Sequence, residues 1–141
     1  IDTGHFYVQV TDYLSEVTKA LIHITRPAFG HIDNNHEGLS KEQIVDLMRV
    51  NDQVEAIFDK INDMLRTKDF SDLDMVLEMR DKLFDTIVEA IKSQLRRIND
   101  VPSGSTRAGV LYLTILNETK TMMLQSRNLL KSQQYFLEAK K

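Results

Sequence analysis

The sequence predicts an all-α fold, an antiparallel up-down-up-down four-helix bundle. Leu, Ile, Met and Val recur at three- and four-residue steps almost throughout, and strand-type alternation is nearly absent. Three clusters of turn residues divide that pattern into four segments. Short turns between long helices place chain neighbours side by side in opposite directions. The 141 residues suit a single domain over 1–141, long enough to bury a continuous core without staples.

The first helix is expected at about 5–36. Tyr7, Val10, Leu14, Val17, Leu21, Ile24, Ala28 and Ile32 share one face at coiled-coil-like spacing. Pro27 lies inside the pattern and removes one backbone hydrogen bond, which predicts a kink near Ile24 rather than an end. Gly38 supplies a left-handed stop. The second helix is expected at about 41–66. Ser40 and Gln43 have the spacing of a capping box, and Leu39 can staple onto Ile44. Its core stripe is Leu47, Val54, Ile57, Phe58, Ile61 and Leu65.

The third helix is expected at about 72–98, with Ser71 and Asp74 as its start signal. It buries Leu73, Val76, Leu77, Leu83, Phe84, Ile87, Ile91 and Leu95. Asn99, Asp100, Pro102 and Gly104 mark the last loop, and Ser103 or Ser105 caps the fourth helix, expected at about 106–138. Tyr112, Leu116, Met123, Leu130 and Leu137 form its core line.

Composition narrows the function classes. With no Cys, disulfides, thiolate metal sites and thiol nucleophiles are excluded, in agreement with a reducing compartment. No apolar stretch approaches the roughly 20 residues that span a bilayer, and no signal peptide is visible. A net charge of −3 gives no general attraction to nucleic acid or acidic membranes. The charge is uneven: residues 1–104 carry a net −7 and residues 105–141 a net +4. The last helix therefore complements the other three, either within the bundle or as a binding face. The chain begins at Ile1 and runs almost directly into helical pattern, which suggests excision from a longer protein.

Catalytic constellations are missing. There is no nucleophile elbow and no Gly-rich phosphate loop; Gly104-Ser105-Thr106-Arg107 is too short and follows no strand. A di-iron bundle needs two Glu-x-x-His motifs, and the nearest approach is one Asp33-x-x-His36. The domain is expected not to be an enzyme.

Two acidic stripes stand out. Asp74, Glu78, Asp81 and Asp85 project to one side of the third helix; Asp52, Glu55, Asp59 and Asp63 form a similar line on the second. Like charges at these steps repel by a few tenths of a kcal/mol per pair. A divalent cation (magnesium, manganese or iron) held by Asp81 and Asp85, with Glu78 or Glu55 and Asp59 adding oxygens, offsets that repulsion. The competing reading is two solvated faces, since both stripes lie well over 90° from the apolar ones at about 100° per residue.

The fourth helix carries doubled apolar positions: Leu111-Tyr112, Ile115-Leu116, Met122-Met123, Leu129-Leu130 and Phe136-Leu137. Such a wide stripe means either deeper burial than its neighbours or a second face for a partner, formed by Leu111, Ile115, Met122 and Leu129. Arg127 and Lys131, one turn apart, face either the acidic helices or an anionic ligand.

Several segments carry a family resemblance. Asp12-Tyr13-Leu14, Thr18-Lys19-Ala20-Leu21, Arg26-Pro27 and His31-Ile32-Asp33-Asn34-Asn35-His36 form one block. Asn62-Asp63-Met64-Leu65-Arg66 with Asp69-Phe70-Ser71-Asp72 forms another. Leu116-Asn117-Glu118-Thr119-Lys120 and Gln125-Ser126-Arg127-Asn128-Leu129-Leu130-Lys131-Ser132-Gln133 complete it. Together, from about Phe6 to Phe136, they resemble the PhoU-like C-terminal domain of bacterial sodium/phosphate cotransporter-family proteins, notably the type found in Bacteroidetes. The resemblance implies a helical regulatory domain on the cytoplasmic side of the inner membrane, following the transport domain of the same polypeptide. It implies metal binding at Glu/Asp-x-x-x-Asp motifs, which Asp81-x-x-x-Asp85 and Glu55-x-x-x-Asp59 match in spacing. It leaves a homo-oligomer open; the alternative readings are a free-standing PhoU-like metal-binding regulator of phosphate uptake and a ligand-free oligomerising helical scaffold.

Overall fold

The computed structural model describes residues 3–34, 38–100 and 106–139. Four helices pack together: α1 (Thr3–Asp33), α2 (Lys41–Thr67), α3 (Leu73–Asp100) and α4 (Thr106–Glu138). Among the described residues there is no strand. The expected boundaries stand within about three residues, the usual scatter for helix ends.

Local chemistry sets the ends. Ser40 accepts from the Gln43 backbone at 3.2 Å, while the Gln43 side chain accepts from the Ser40 backbone N–H at 2.8 Å, completing the capping box of α2. Leu39 packs against the core, but Ile44 stays 45% exposed. α2 ends on Lys68, which adopts φ 58, the left-handed conformation that terminates helices. α1 ends earlier than expected. Asn34 donates its backbone and side-chain N–H groups to the Gly30 carbonyl at 3.1 and 2.7 Å, and Gly38 does not adopt the left-handed conformation expected of the stop. Pro27 is accommodated within α1, as its exposed position allows.

The start of α3 differs from its sequence signal. Asp69, not Asp74, provides the local acceptor, taking the Ser71 backbone N–H at 3.0 Å. That bond holds the Asp69 carboxyl below its ordinary range. The side chains of Tyr7, Val10, Leu14 and Leu21, and of His5 and His36, lie outside what is described, as do Pro102, Ser103, Gly104 and Ser105.

The core runs through all four helices. Ile57, Leu83, Ile87, Tyr112, Leu116, Met123 and Leu130 are almost wholly inaccessible. Two expected core positions are exposed, Ile32 at 73% and Leu95 at 51%, each on a side of its helix turned away from the buried line. Conversely, Val50 and Met64 on α2 and Ala90 on α3 are buried, so the inward face of α2 is rotated slightly from its expected stripe.

The packing is uneven. α4 touches the other three helices, and α2 and α3 pack on each other. α1 lies along α4, and among the described residues its backbone approaches neither α2 nor α3. Lys60 on α2 pairs with Asp72 just before α3 at 3.5 Å, while Gln43 and Gln94 meet at the other end of those helices. Arg97 and Tyr112, then Phe84 and Lys120, align α3 with α4. His23 meets Glu118 across α1 and α4 at 3.4 Å.

Candidate functional site

The beginnings of α2 and α4 and the last turns of α3 share a polar cluster inside an otherwise apolar interior. Gln43 and Gln94 are both buried, and the Gln43 amide donates to Gln94 Oε1 at 3.0 Å. Arg97 donates through Nε to the same oxygen at 3.2 Å and through Nη2 to Asp46 Oδ2 at 3.4 Å. Tyr112 donates its hydroxyl to Asp46 Oδ2 at 2.8 Å, and the Arg97 guanidinium sits 5.6 Å from the Tyr112 ring centre. A Cβ at position 109 would stand 3.0 Å from Gln94 Nε2, so Gly109 lets α4 approach the amide closely.

Electrostatics fix the roles within this cluster. Burial pushes the Tyr112 hydroxyl up to about 12, and the Asp46 carboxylate that accepts its proton adds to the shift. Tyr112 is therefore a neutral donor at physiological pH, not a base or nucleophile. Each polar group answers another: amide to amide, guanidinium to carboxylate, hydroxyl to carboxylate. Such a closed network ties three helix ends in one register. Its chemistry is that of a clamp.

Beside the clamp, α2 and α3 leave a cleft of about 310 Å³, lined by Asp46, Arg49, Asp85, Thr86, Glu89 and Ser93. Of the expected metal ligands, Asp85 alone reaches it. Glu55, Asp59, Glu78, Asp81 and Asp85 are all exposed on the outer faces of α2 and α3. Asp81 pairs with Arg80 at 3.1 Å. Among the described residues no three His, Asp or Glu side chains converge to hold a metal ion. The structure does not gather the two acidic stripes into a site: apart from Asp85, their expected ligands lie away from the α2–α3 cleft.

The wide stripe of α4 is divided between two neighbours. Tyr112 and Lys120 reach α2 and α3, while Leu111 lines a cleft with α1, and Glu118 meets His23. Leu111, Met122 and Leu129 are buried within the chain, and Ile115 is half-buried. α1 covers the second face that the doubled positions supply. The α1–α4 cleft, about 280 Å³, is lined by Pro27, His31, Asn34, Arg107, Val110 and Leu111, among others. Arg127 and Lys131 stay exposed and form no ion pair with the acidic helices.

Periodicity alone misses the clamp. Gln94 does continue the buried line Leu83, Ile87 and Ala90 at helical steps, which marks it as inward-facing. Gln43 is flagged by its capping-box position. Nothing local announces Asp46, Arg97 or Tyr112 as partners, since they lie 51 and 66 residues apart in the chain. Among the described residues no helix is long and apolar enough to cross a membrane. No family model, curated protein or solved structure matches the chain.

Proposed function

We propose that this chain is a non-catalytic regulatory domain of a sodium-dependent phosphate transporter, on the cytoplasmic side of the inner membrane. The observation that carries this reading is the resemblance of three sequence blocks, spread from about Phe6 to Phe136, to the PhoU-like domain of such transporters. An all-helical body suits that reading. We take the bundle to be antiparallel and up-down-up-down, in view of the pairings Gln43–Gln94, Lys60–Asp72 and His23–Glu118.

In this reading the domain binds the transport domain of its own polypeptide and biases it by switching between two packings. α1 is the element suited to switch, since among the described residues its backbone approaches α4 alone while the clamp locks α2, α3 and α4 together. The test is phosphate uptake by the full-length protein in proteoliposomes, with and without this domain. A change in the rate or in its phosphate dependence is expected. Unchanged uptake, or a full-length sequence lacking several apolar segments of about 20 residues, would sink the reading.

A further inference from the structure

α3 carries a second apolar seam beside the one it buries. From the half-buried Phe84, steps of four, three, four and three reach Val88, Ile91, Leu95 and Ile98. This is the spacing of a coiled-coil seam. Phe84 and Ile91 pack partly against the chain's own core, while Val88, Leu95 and Ile98 are 37%, 51% and 50% exposed, so the chain leaves the outer edge of this line open. At about 100° per residue, the seam is turned roughly a quarter of the helix away from the buried line Leu83, Ile87 and Gln94.

The charges flanking the seam reverse along the helix. Its N-terminal part exposes Asp81 and Asp85, and its C-terminal part exposes Lys92 and Arg96. Asp85 forms no ion pair with any described residue, and Arg96 forms none either. Lay a second α3 antiparallel along the seam, with Val88 facing Ile91 and Phe84 facing Leu95 of the second copy. Asp85 then falls beside Lys92 of the second copy, and Asp81 beside Arg96, each within about 3 Å along the axis. The two-fold axis repeats both pairs. A surface that complements itself in shape and charge under a two-fold rotation is what a symmetric dimer requires.

We infer that this face of α3 is a homodimer interface, with a second copy of the chain as its occupant, packed antiparallel on Val88, Ile91 and Leu95 and registered by Asp81 and Asp85 against Lys92 and Arg96. The acidic stripe of α3 then has a partner: the basic end of the same helix in another molecule. This inference does not depend on the transporter reading.

The test is sedimentation velocity on this chain between roughly 1 and 500 μM. A concentration-dependent dimer, weakened by added salt, is expected. Leu95→Glu should weaken it by roughly 100-fold or more, with helix content unchanged by circular dichroism. Val45→Glu, a control at an exposed apolar position on α2, should leave it intact. The decisive step uses two charge variants, Asp81→Lys/Asp85→Lys and Lys92→Glu/Arg96→Glu. Each alone should be monomeric, and the mixture should form a heterodimer. A monomer at every concentration overturns the inference, as does a dimer that survives Leu95→Glu. Two charge variants that fail to pair while the unmodified chain dimerises overturn the assigned register.

Discussion

The α2–α3–α4 unit and α1 are built to different standards. In the unit, Ile57, Leu83, Ile87, Tyr112, Leu116 and Met123 are shielded almost completely, and a polar clamp crosses all three helices. Among the described residues the α1 backbone approaches α4 alone, along the most extensive contact between any two helices, and Ala20 and His31 are buried there. Both regions are long amphipathic helices of similar composition. What separates them is how many sides are covered. A helix with two neighbours and fixed polar partners opens only with the whole fold, whereas a helix on a single neighbour can detach alone.

The largest test of that contrast is in the core of the unit. Ile87→Ala and Leu116→Ala should each destabilise by about 2–5 kcal/mol in urea unfolding, since each leaves a cavity among three helices. Losses below about 0.5 kcal/mol at both positions would show that the unit is not the stable part. Next comes α1. Ala20→Leu overpacks the α1–α4 seam and should cost about 1–3 kcal/mol. Native-state hydrogen exchange should show that α1 amides lose protection while those of α3 keep it. Equal loss in both would erase the distinction between the two regions.

The clamp has a pH signature. The Tyr112 hydroxyl is raised in the folded state, so its contribution is fully present below pH 10, the ordinary tyrosine value. As pH climbs from there toward about 12, the unfolded chain ionises and the folded one does not, and stability falls. The loss should be on the order of 1–2 kcal/mol, and Tyr112→Phe should remove that alkaline step while costing about 1 kcal/mol at neutral pH. An unaltered alkaline profile in the variant would place the step elsewhere. Ser40→Ala should cost a further increment of about 1 kcal/mol by opening the capping box, measurable as a shift in urea midpoint without a change in slope.

The smallest effect is expected at the acidic stripes. Asp81→Asn/Asp85→Asn should change monomer stability by less than about 0.5 kcal/mol, because both side chains are solvated. Calorimetric titration with magnesium, manganese and iron(II) should give no saturable heat with the unmodified chain. Saturable binding that this double substitution abolishes would reinstate these carboxylates as ligands.

Helix number, order and most boundaries were legible in the residues, because amphipathic spacing, the Ser40–Gln43 box and the turn clusters are local signals that act within a few residues. The inward faces were legible only in part. Ile57, Leu83 and Met123 lie where the periodicity places them, while Ile32 and Leu95 are turned outward although their neighbouring helices continue past them. The meaning of the doubled apolar positions on α4 was open, since a wide stripe looks the same whether a second helix of the same chain or another molecule covers it.

The sequence by itself determined four amphipathic helices and their punctuation, because backbone hydrogen bonding and side-chain periodicity are short-range. Only the tertiary structure decided that, among the described residues, the α1 backbone approaches α4 alone and that Asp46, Arg97 and Tyr112 meet. It alone decided that the two acidic stripes stay apart. The physical reason is that crossing geometry and axial register arise from side chains distant in sequence packing against each other, and no local pattern encodes which of several similar apolar faces will find which neighbour.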